Sequence, residues 1–181
     1  MKFYYGITHI ALLEAAIQAV VDVFPASNAS NTEGMLLGTA IAETHLGTYP
    51  DAHPERHGVG LMQMDRIAFD DVQERTRATV KGMCKHRLFV DMAKVKYEDL
   101  AHCPLLSVLY ARLFYMLVPD VFPEEDDVES QARYWKRFYN TEAGSGTAED
   151  FITRHLETEK KFKAFRALLA GKPSEGDCNE K

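Results

Sequence analysis

The sequence predicts a mostly helical fold in a single domain. Apolar residues recur at helical spacing along most of the chain, and no segment alternates strongly enough to predict more than two or three short strands. The composition, 46% hydrophobic and 27% charged, is that of an ordinary globular protein. A chain of 181 residues is long enough to bury one substantial core.

The predicted helices follow one another with clear boundaries. Thr8 is a candidate N-cap for the first helix, and residues 27–31, SNASN, supply caps for the second. Pro119 and Pro123 separate the fifth helix from the sixth, and residues 147–150, TAED, form a capping box for the last. The predicted ranges are 8–24, 32–46, 65–75, 78–88, 104–118, 126–139 and 147–170.

The chain contains no internal repeat or linker, so residues 1–170 are expected to form one domain, followed by the polar tail 171–181. The segment 47–60 is interrupted by Gly47, Pro50, Pro54 and Gly58. It is predicted to be an irregular loop with at most a small β element.

Charge and cysteine content exclude several classes of protein. A net charge of −6 argues against nucleic-acid binding. The three cysteines, Cys84, Cys103 and Cys178, are widely separated, which fits a reducing compartment and neither a zinc ribbon nor a disulfide framework. The apolar stretch 10–24 is interrupted by Glu14, Gln18 and Asp22, so it predicts neither a membrane span nor a Sec signal.

The stretch with the most chemical information is 40–65, AIAETHLGTYPDAHPERHGVGLMQMD. On a helical wheel, Leu36, Leu37, Ala40 and Ile41 form an apolar stripe with Thr44 in its middle. Glu43 lies just beside this stripe, where a helix border can meet a cleft. Partial burial there would raise the pKa of Glu43, as a general acid at neutral pH requires.

The turn after the loop supplies partners for such an acid. Gly58 and Gly60 allow the backbone to approach a ligand closely, and the amide of Gln63 suits sugar hydroxyl and N-acetyl groups. Asp65 is a second carboxylate. Cleavage of a glycosidic bond needs one acid to protonate the leaving oxygen, and a second carboxylate can position water.

The segments ETHLG at 43–47, GVGLMQMD at 58–65 and FYNTEAGSG at 138–146 resemble motifs of the goose-type lysozymes and soluble lytic transglycosylases. Those families carry a Glu-Ser stretch, a Gly-Leu-Met-Gln turn and a later Tyr-Asn-Ala-Gly motif. Here Thr141 and Glu142 are inserted into the third motif. Asp65, directly after GLMQM, resembles the goose-type form of the second motif.

The resemblance implies a lysozyme-like fold and a role for each matched residue. Glu43 would be the general acid, hydrogen-bonded by Tyr139, while Asp65 and Glu55 would hold the attacking water. The implied substrate-binding residues are Thr44, Met62, Gln63, Tyr139 and Asn140.

The expected substrate is the glycan strand of peptidoglycan, cut at the β-1,4 bond between N-acetylmuramic acid and N-acetylglucosamine. The Asp65 position favours a muramidase over a lytic transglycosylase, which would form 1,6-anhydro ends with the same Glu43. No cofactor or metal is expected. We expect synthesis in the cytoplasm and action on the cell wall after phage lysis, virion delivery or injection, with an immunity protein or delivery machinery as partner. A non-catalytic glycan-binding or virion structural module is the distant alternative.

Other residues allow further interpretations. His45, His53 and His57 with Glu43 resemble metal ligands, although Pro54 argues against a helix between two of them. The contexts of Cys84 and Cys103 favour buried thiols over a nucleophile. Trp135 and Phe138 fit either the core or a sugar-stacking surface, with the core favoured. The basic run Lys160, Lys161, Lys163 and Arg166 is typical of a solvated helix face.

Overall fold

A computed structural model describes residues 2–26, 28–50, 58–142 and 144–169, with side chains up to residue 161. Within these ranges the chain is mostly helical, as the sequence predicts, and the sole β element is an isolated antiparallel bridge between Val59 and Met64. The α-helices are α1 (Ile10–Val23), α2 (Ala29–Thr44), α3 (Arg66–Arg75), α4 (Ala78–Arg87), α5 (Pro104–Tyr115), α6 (Val128–Trp135) and α7 (Ala148–Leu169). The predicted tail 171–181 lies outside the described residues.

Helix α5 forms the centre of the fold. Every residue from Ser107 to Leu113 is buried, including Tyr110 and Arg112. Arg112 is tolerated there because its Nε donates to the carbonyl oxygen of Phe24 at 2.8 Å and its guanidinium lies over Phe122. Helices α1, α2 and α3 pack against α5. Among the described residues, no helix is both long enough and apolar enough to cross a membrane.

The first two helices begin at different residues from those predicted. Helix α1 begins at Ile10 with His9 as its N-cap, so the proposed cap at Thr8 is wrong. Helix α2 begins at Ala29, because the side chain of Asn28 accepts a hydrogen bond from the Ser30 backbone N–H at 3.0 Å. The last capping box is confirmed: Thr147 Oγ1 and the Asp150 carboxylate each accept a backbone hydrogen bond at 3.0 Å.

Helix α2 is buried on more faces than the single apolar stripe predicts. Gly38 and Thr39 are buried beside the predicted stripe. A Cβ at Gly38 would lie 2.6 Å from the ring of Phe151 in α7, so glycine allows these two helices to pack closely. Thr39 satisfies its hydroxyl by bonding the Met35 carbonyl oxygen and the Tyr115 hydroxyl, both at 2.8 Å.

The turn at 58–65 is held tightly against α2 and α5. Thr44 Oγ1 donates to the Leu61 carbonyl oxygen at 2.9 Å, and Ser107 Oγ accepts from the Met62 backbone N–H at 3.0 Å. Gly60 has a φ of +77°, and a Cβ there would collide with the carbonyl oxygen of Leu100. Glycine is therefore required at this position by both backbone conformation and space.

Helix α6 continues into one π-helical turn, Lys136–Asn140, which ends at Thr141. Single π turns often occur at functional sites because they alter the direction of side chains along a helix. Helix α7 then returns across both α6 and α2. The ends of α2, α6 and the turn at 58–65 thereby surround one cleft.

Candidate active site

The cleft has a volume of about 480 Å³ and contains residues from every segment that the sequence motifs mark. Helix α2 contributes Glu43, and the 58–65 turn contributes Gln63 and Asp65. The π-helical turn contributes Tyr139 and Asn140. The lining also includes Gly58, Phe114, Trp135, Thr141, Gly144, Ser145, Gly146 and Arg154.

Glu43 is a half-buried carboxyl group on the wall of this cleft. Its Oε1 accepts a hydrogen bond of 2.9 Å from the indole Nε1 of Trp135. Trp135 is itself buried and packs on Phe151 with ring centroids 5.5 Å apart. A rigid side chain from α6 therefore holds one oxygen of the acid.

The surroundings of Glu43 favour its protonated form near neutral pH. Burial raises the pKa of Glu43 to about 7, while the Trp135 hydrogen bond and the positive charge of Arg154 lower it from a still higher value. Arg154 lies on α7, where its Nη1 donates to the carbonyl oxygen of Ala42. A carboxyl group with this pKa carries a proton in a useful fraction of molecules at pH 7.

Tyr139 contacts the turn and not the acid. Its hydroxyl donates to the Met62 carbonyl oxygen at 2.8 Å, so the expected hydrogen bond from Tyr139 to Glu43 is wrong. Trp135 takes that role, one helical turn earlier on the same face. Burial raises the pKa of Tyr139 well above its ordinary value, and the nearby Glu43 raises it further, so the phenol stays neutral.

A cluster of aromatic rings lies beside the cleft. The Tyr139 ring lies edge-on to Phe114 with centroids 5.5 Å apart and is tilted against Tyr115 at 5.2 Å. Phe114 and Tyr139 reach the cleft, whereas Tyr115 is buried. The cleft thus combines an apolar aromatic surface with polar groups, a combination that suits the faces and hydroxyl groups of sugars.

Gln63 and Asn140 place amide groups in the cleft, as the resemblance implies. Gln63 has a left-handed φ of 46°, and its Nε2 donates to the Gly60 carbonyl oxygen at 2.9 Å. Asn140 Oδ1 accepts from Lys136 Nζ at 2.9 Å. Lys136 also donates to the carbonyl oxygens of Thr141 and Gly144, at 2.7 and 2.9 Å, and so secures the loop after Asn140.

Thr44 and Met62 do not line the cleft, contrary to the roles that the resemblance implies. Both residues are buried. Thr44 Oγ1 accepts from the Gly47 backbone N–H at 3.1 Å while it donates to the Leu61 carbonyl oxygen. Met62 contributes a carbonyl oxygen to Tyr139. Each residue holds the turn in place, and neither side chain is open to a ligand.

Asp65 is an exposed residue that lines the same cleft from the start of α3. It is the N-cap of α3, since its Oδ1 accepts a hydrogen bond of 2.6 Å from the Ala68 backbone N–H. Its second oxygen accepts no hydrogen bond from the residues that the structure describes. Glu55, the other candidate for holding water, lies outside the described residues.

The alternative chemistries gain no structural support. Within the described ranges, no group of three or more His, Cys, Asp or Glu side chains could hold a metal ion. His45 stacks on Tyr49 with centroids 4.0 Å apart, while His53 and His57 lie outside the description. Cys84 is buried, as expected, and burial raises the pKa of its thiol to about 11; Cys103 is only half-buried.

Sequence reasoning missed the roles of Trp135 and Arg154. The sequence left Trp135 either in the core or on a sugar-stacking surface, and the favoured interpretation placed the indole in the core. The indole is indeed buried, yet its one polar atom reaches Glu43. No local signal marks Arg154, because its proximity to Glu43 depends on how α7 crosses α2.

No family model matches the chain, and neither a curated protein nor a solved structure is significantly similar to it. The cleft must therefore be interpreted through its own chemistry. It combines one desolvated acid, one exposed carboxylate, amide groups and an aromatic surface. Such an arrangement can donate a proton to an uncharged polar ligand and stabilise the positive charge that develops.

Proposed function

We propose that the protein is a peptidoglycan-degrading glycosidase of lysozyme-like fold that cuts the β-1,4 bond between N-acetylmuramic acid and N-acetylglucosamine. The observation that carries the proposal is Glu43, a carboxyl group with a pKa of about 7 in a cleft of about 480 Å³. The three motifs of the lysozyme-like resemblance meet at this cleft. Glu43, Gln63 and Asn140 all line it although they are distant in sequence.

In this proposal Glu43 protonates the glycosidic oxygen and the leaving sugar departs. The positive charge that develops on the remaining ring is stabilised by the carboxylate that Glu43 becomes. Gln63 and Asn140 offer amide groups to the N-acetyl and hydroxyl groups of the bound sugars. The aromatic surface at Phe114 and Tyr139 packs against sugar faces.

Asp65 is the proposed base that holds the attacking water in a muramidase reaction. It lines the same cleft as Glu43, is exposed, and uses only Oδ1 to bond the α3 backbone. The two carboxyl groups differ in their surroundings, since Glu43 is desolvated and Asp65 is exposed, and a hydrolytic pair uses such a difference.

A lytic transglycosylase is the second candidate, and the commitment of Asp65 Oδ1 to helix capping favours it. In that reaction no water-holding carboxylate is needed. The 6-hydroxyl group of the muramic acid residue attacks its own anomeric carbon, and Glu43 accepts the hydroxyl proton in the second step.

The test is digestion of purified peptidoglycan by the wild type and by Glu43→Gln, with mass analysis of the soluble products. We expect muropeptides with reducing ends from the wild type and a loss of about 10²-fold to 10⁴-fold in the variant. Anhydro ends would identify a transglycosylase. Binding to peptidoglycan without any cleavage would favour a non-catalytic glycan-binding module, and undiminished cleavage by Glu43→Gln would remove Glu43 from the mechanism.

A matched control is Glu98→Gln. Glu98 is an exposed glutamate, with 73% of its side chain accessible, outside the cleft. The same change of charge at Glu98 should leave the amount of soluble product from peptidoglycan unaltered. The resemblance also supports action on the bacterial cell wall, and the proposed routes to it are release, virion delivery or injection.

A further inference from the structure

The bond between Trp135 and Glu43 has a direction that constrains the acid. An indole N–H is a donor only, so Oε1 of Glu43 must act as the acceptor in the 2.9 Å contact. In a neutral carboxyl group the carbonyl-type oxygen is the better acceptor. The hydroxyl group of protonated Glu43 is therefore favoured on Oε2.

The position of Oε2 fits this assignment. Among the described residues, Oε2 has no hydrogen-bond partner, and it does not belong to the buried side-chain atoms that lack partners. Because Glu43 lines the cleft, Oε2 is the oxygen that a ligand can reach.

Trp135 is held firmly enough to impose this orientation. The side chain is 2% exposed and packs against Phe151, which is 1% exposed. A Cβ at Gly146 would approach the indole to 2.7 Å, so the loop before α7 closes over the ring. The indole N–H has no room to turn away from the acid.

We propose that Trp135 is a positioning residue that holds Oε1 of Glu43 and leaves the transferable proton on Oε2, facing the bound substrate. Its catalytic consequence rests on the proposed function, whereas the orientation itself does not. When Oε2 gives up its proton, the same N–H stabilises the carboxylate that forms. Loss of the N–H should therefore raise the pKa of Glu43 and leave the orientation of its carboxyl group unrestrained.

Other polar and aromatic groups lie near Glu43 but do not bond to its carboxyl group in the described structure. Arg154 from α7 is the nearby cation, while Tyr115 and Tyr139 remain neutral phenols because burial raises their pKa values. His155 stacks on Phe151 behind Trp135, at a centroid distance of 6.2 Å. Among the described residues, the hydrogen bond to the carboxyl group comes from Trp135 and from none of these four groups.

The chain contains a single tryptophan, which makes a direct experiment possible. Emission of Trp135 should change with pH near 7, because the indole contacts a group that titrates there. The change should disappear in Glu43→Gln and persist in His155→Asn. Persistence of the step in Glu43→Gln, or its absence from the wild type, would overturn the proposal.

The second experiment removes only the N–H. Global replacement of tryptophan by 3-benzothienylalanine exchanges the indole N–H for sulfur at Trp135 alone. With ¹³C-labelled glutamate, NMR titration should place the pKa of Glu43 about one pH unit higher than in the wild type. Trp135→Phe should shift it in the same direction, while Phe151→Leu, which loosens packing and keeps the N–H, should not. An unchanged pKa in the folded sulfur analogue would contradict the proposal.

Activity gives a separate readout. On peptidoglycan, the sulfur analogue should lose about tenfold in kcat with little change in KM, since the N–H acts on proton transfer. If the wild type shows the titrations described but cleaves no glycan, the proposed function fails and the positioning of Glu43 stands. If the emission of Trp135 does not change near pH 7, or the pKa of Glu43 is unchanged in the sulfur analogue, the positioning role fails. The proposed function stands if the wild type still cleaves glycan.

Discussion

The two walls of the cleft carry carboxyl groups with opposite surroundings. Glu43 is half-buried at the end of α2, bonded to an indole and packed among side chains from α6 and α7. Asp65 is exposed at the start of α3 and bonded to a backbone N–H. Burial penalises the charged form of Glu43, whereas Asp65 lies in solvent and caps a helix.

Residue type alone therefore does not set the environment of a carboxyl group. Both carboxyl groups line one cleft, and their surroundings differ because Glu43 is half-buried against α6 and α7 whereas Asp65 is exposed. The α2 wall is held by packing and by Trp135. The Asp65 wall is held by helix capping, by the bridge between Val59 and Met64, and by side-chain hydrogen bonds to the turn.

The largest effect on stability is expected from the buried wall. The pKa of Glu43 is raised from 4.5 to about 7 in the folded protein, so the folded state binds more protons than the unfolded state between these values. Stability therefore falls as pH rises from about 4.5 to 7, and the loss remains above pH 7. Glu43→Gln should remove this penalty and stabilise the protein by up to about 3 kcal/mol at pH 8.

Urea unfolding of both proteins at pH 4 and pH 8 measures this difference. The advantage of Glu43→Gln should be small at pH 4 and largest at pH 8. Equal stability at pH 8 would mean that Glu43 is not desolvated, and the contrast between the two walls would disappear.

The next effect concerns Gly60 in the turn at 58–65. Gly60→Ala should destabilise the fold by about 2 kcal/mol or more, because it adds left-handed strain and a collision with the Leu100 carbonyl oxygen. Gly82→Ala is the matched control, since Gly82 lies within α4 with open space around it. That change should stabilise by about 0.5–1 kcal/mol in a thermal melt. Similar losses at both positions would argue that the turn is not tightly held.

The smallest effect tests the exposed wall. Asp65→Asn keeps an N-cap acceptor, so stability should change little, but it removes the carboxylate proposed to hold water. Release of reducing ends should fall by about tenfold or more. Asp65→Ala should lose, in addition, about 1 kcal/mol of stability. Full activity of Asp65→Asn would mean that no water held by Asp65 attacks the anomeric carbon. Attack by the 6-hydroxyl group of the substrate, the transglycosylase reaction, would then be favoured.

Much of the secondary structure was predictable because it depends on local patterns. The last capping box and the mostly helical content follow from spacing and cap residues within a few positions of each other. The start of α1 was misplaced, since His9 occupies the N-cap position without a side-chain hydrogen bond. Helix ends with weak local signals depend on packing, which the sequence does not display.

The candidate site was predicted in part. Glu43, Gln63, Asp65, Tyr139 and Asn140 line one cleft, as the motifs implied. The sequence by itself determined the helices, the glycine turn and the presence of an acid at the border of an apolar helix.

Only the tertiary structure decided which neighbour each group has. Thr44 and Met62 turn into the fold, Tyr139 bonds to a backbone carbonyl, and Trp135 and Arg154 reach Glu43 from distant helices. The physical reason is that desolvation and hydrogen bonding depend on contacts between elements. Those contacts arise from the crossing of α2, α6 and α7 and not from any local pattern.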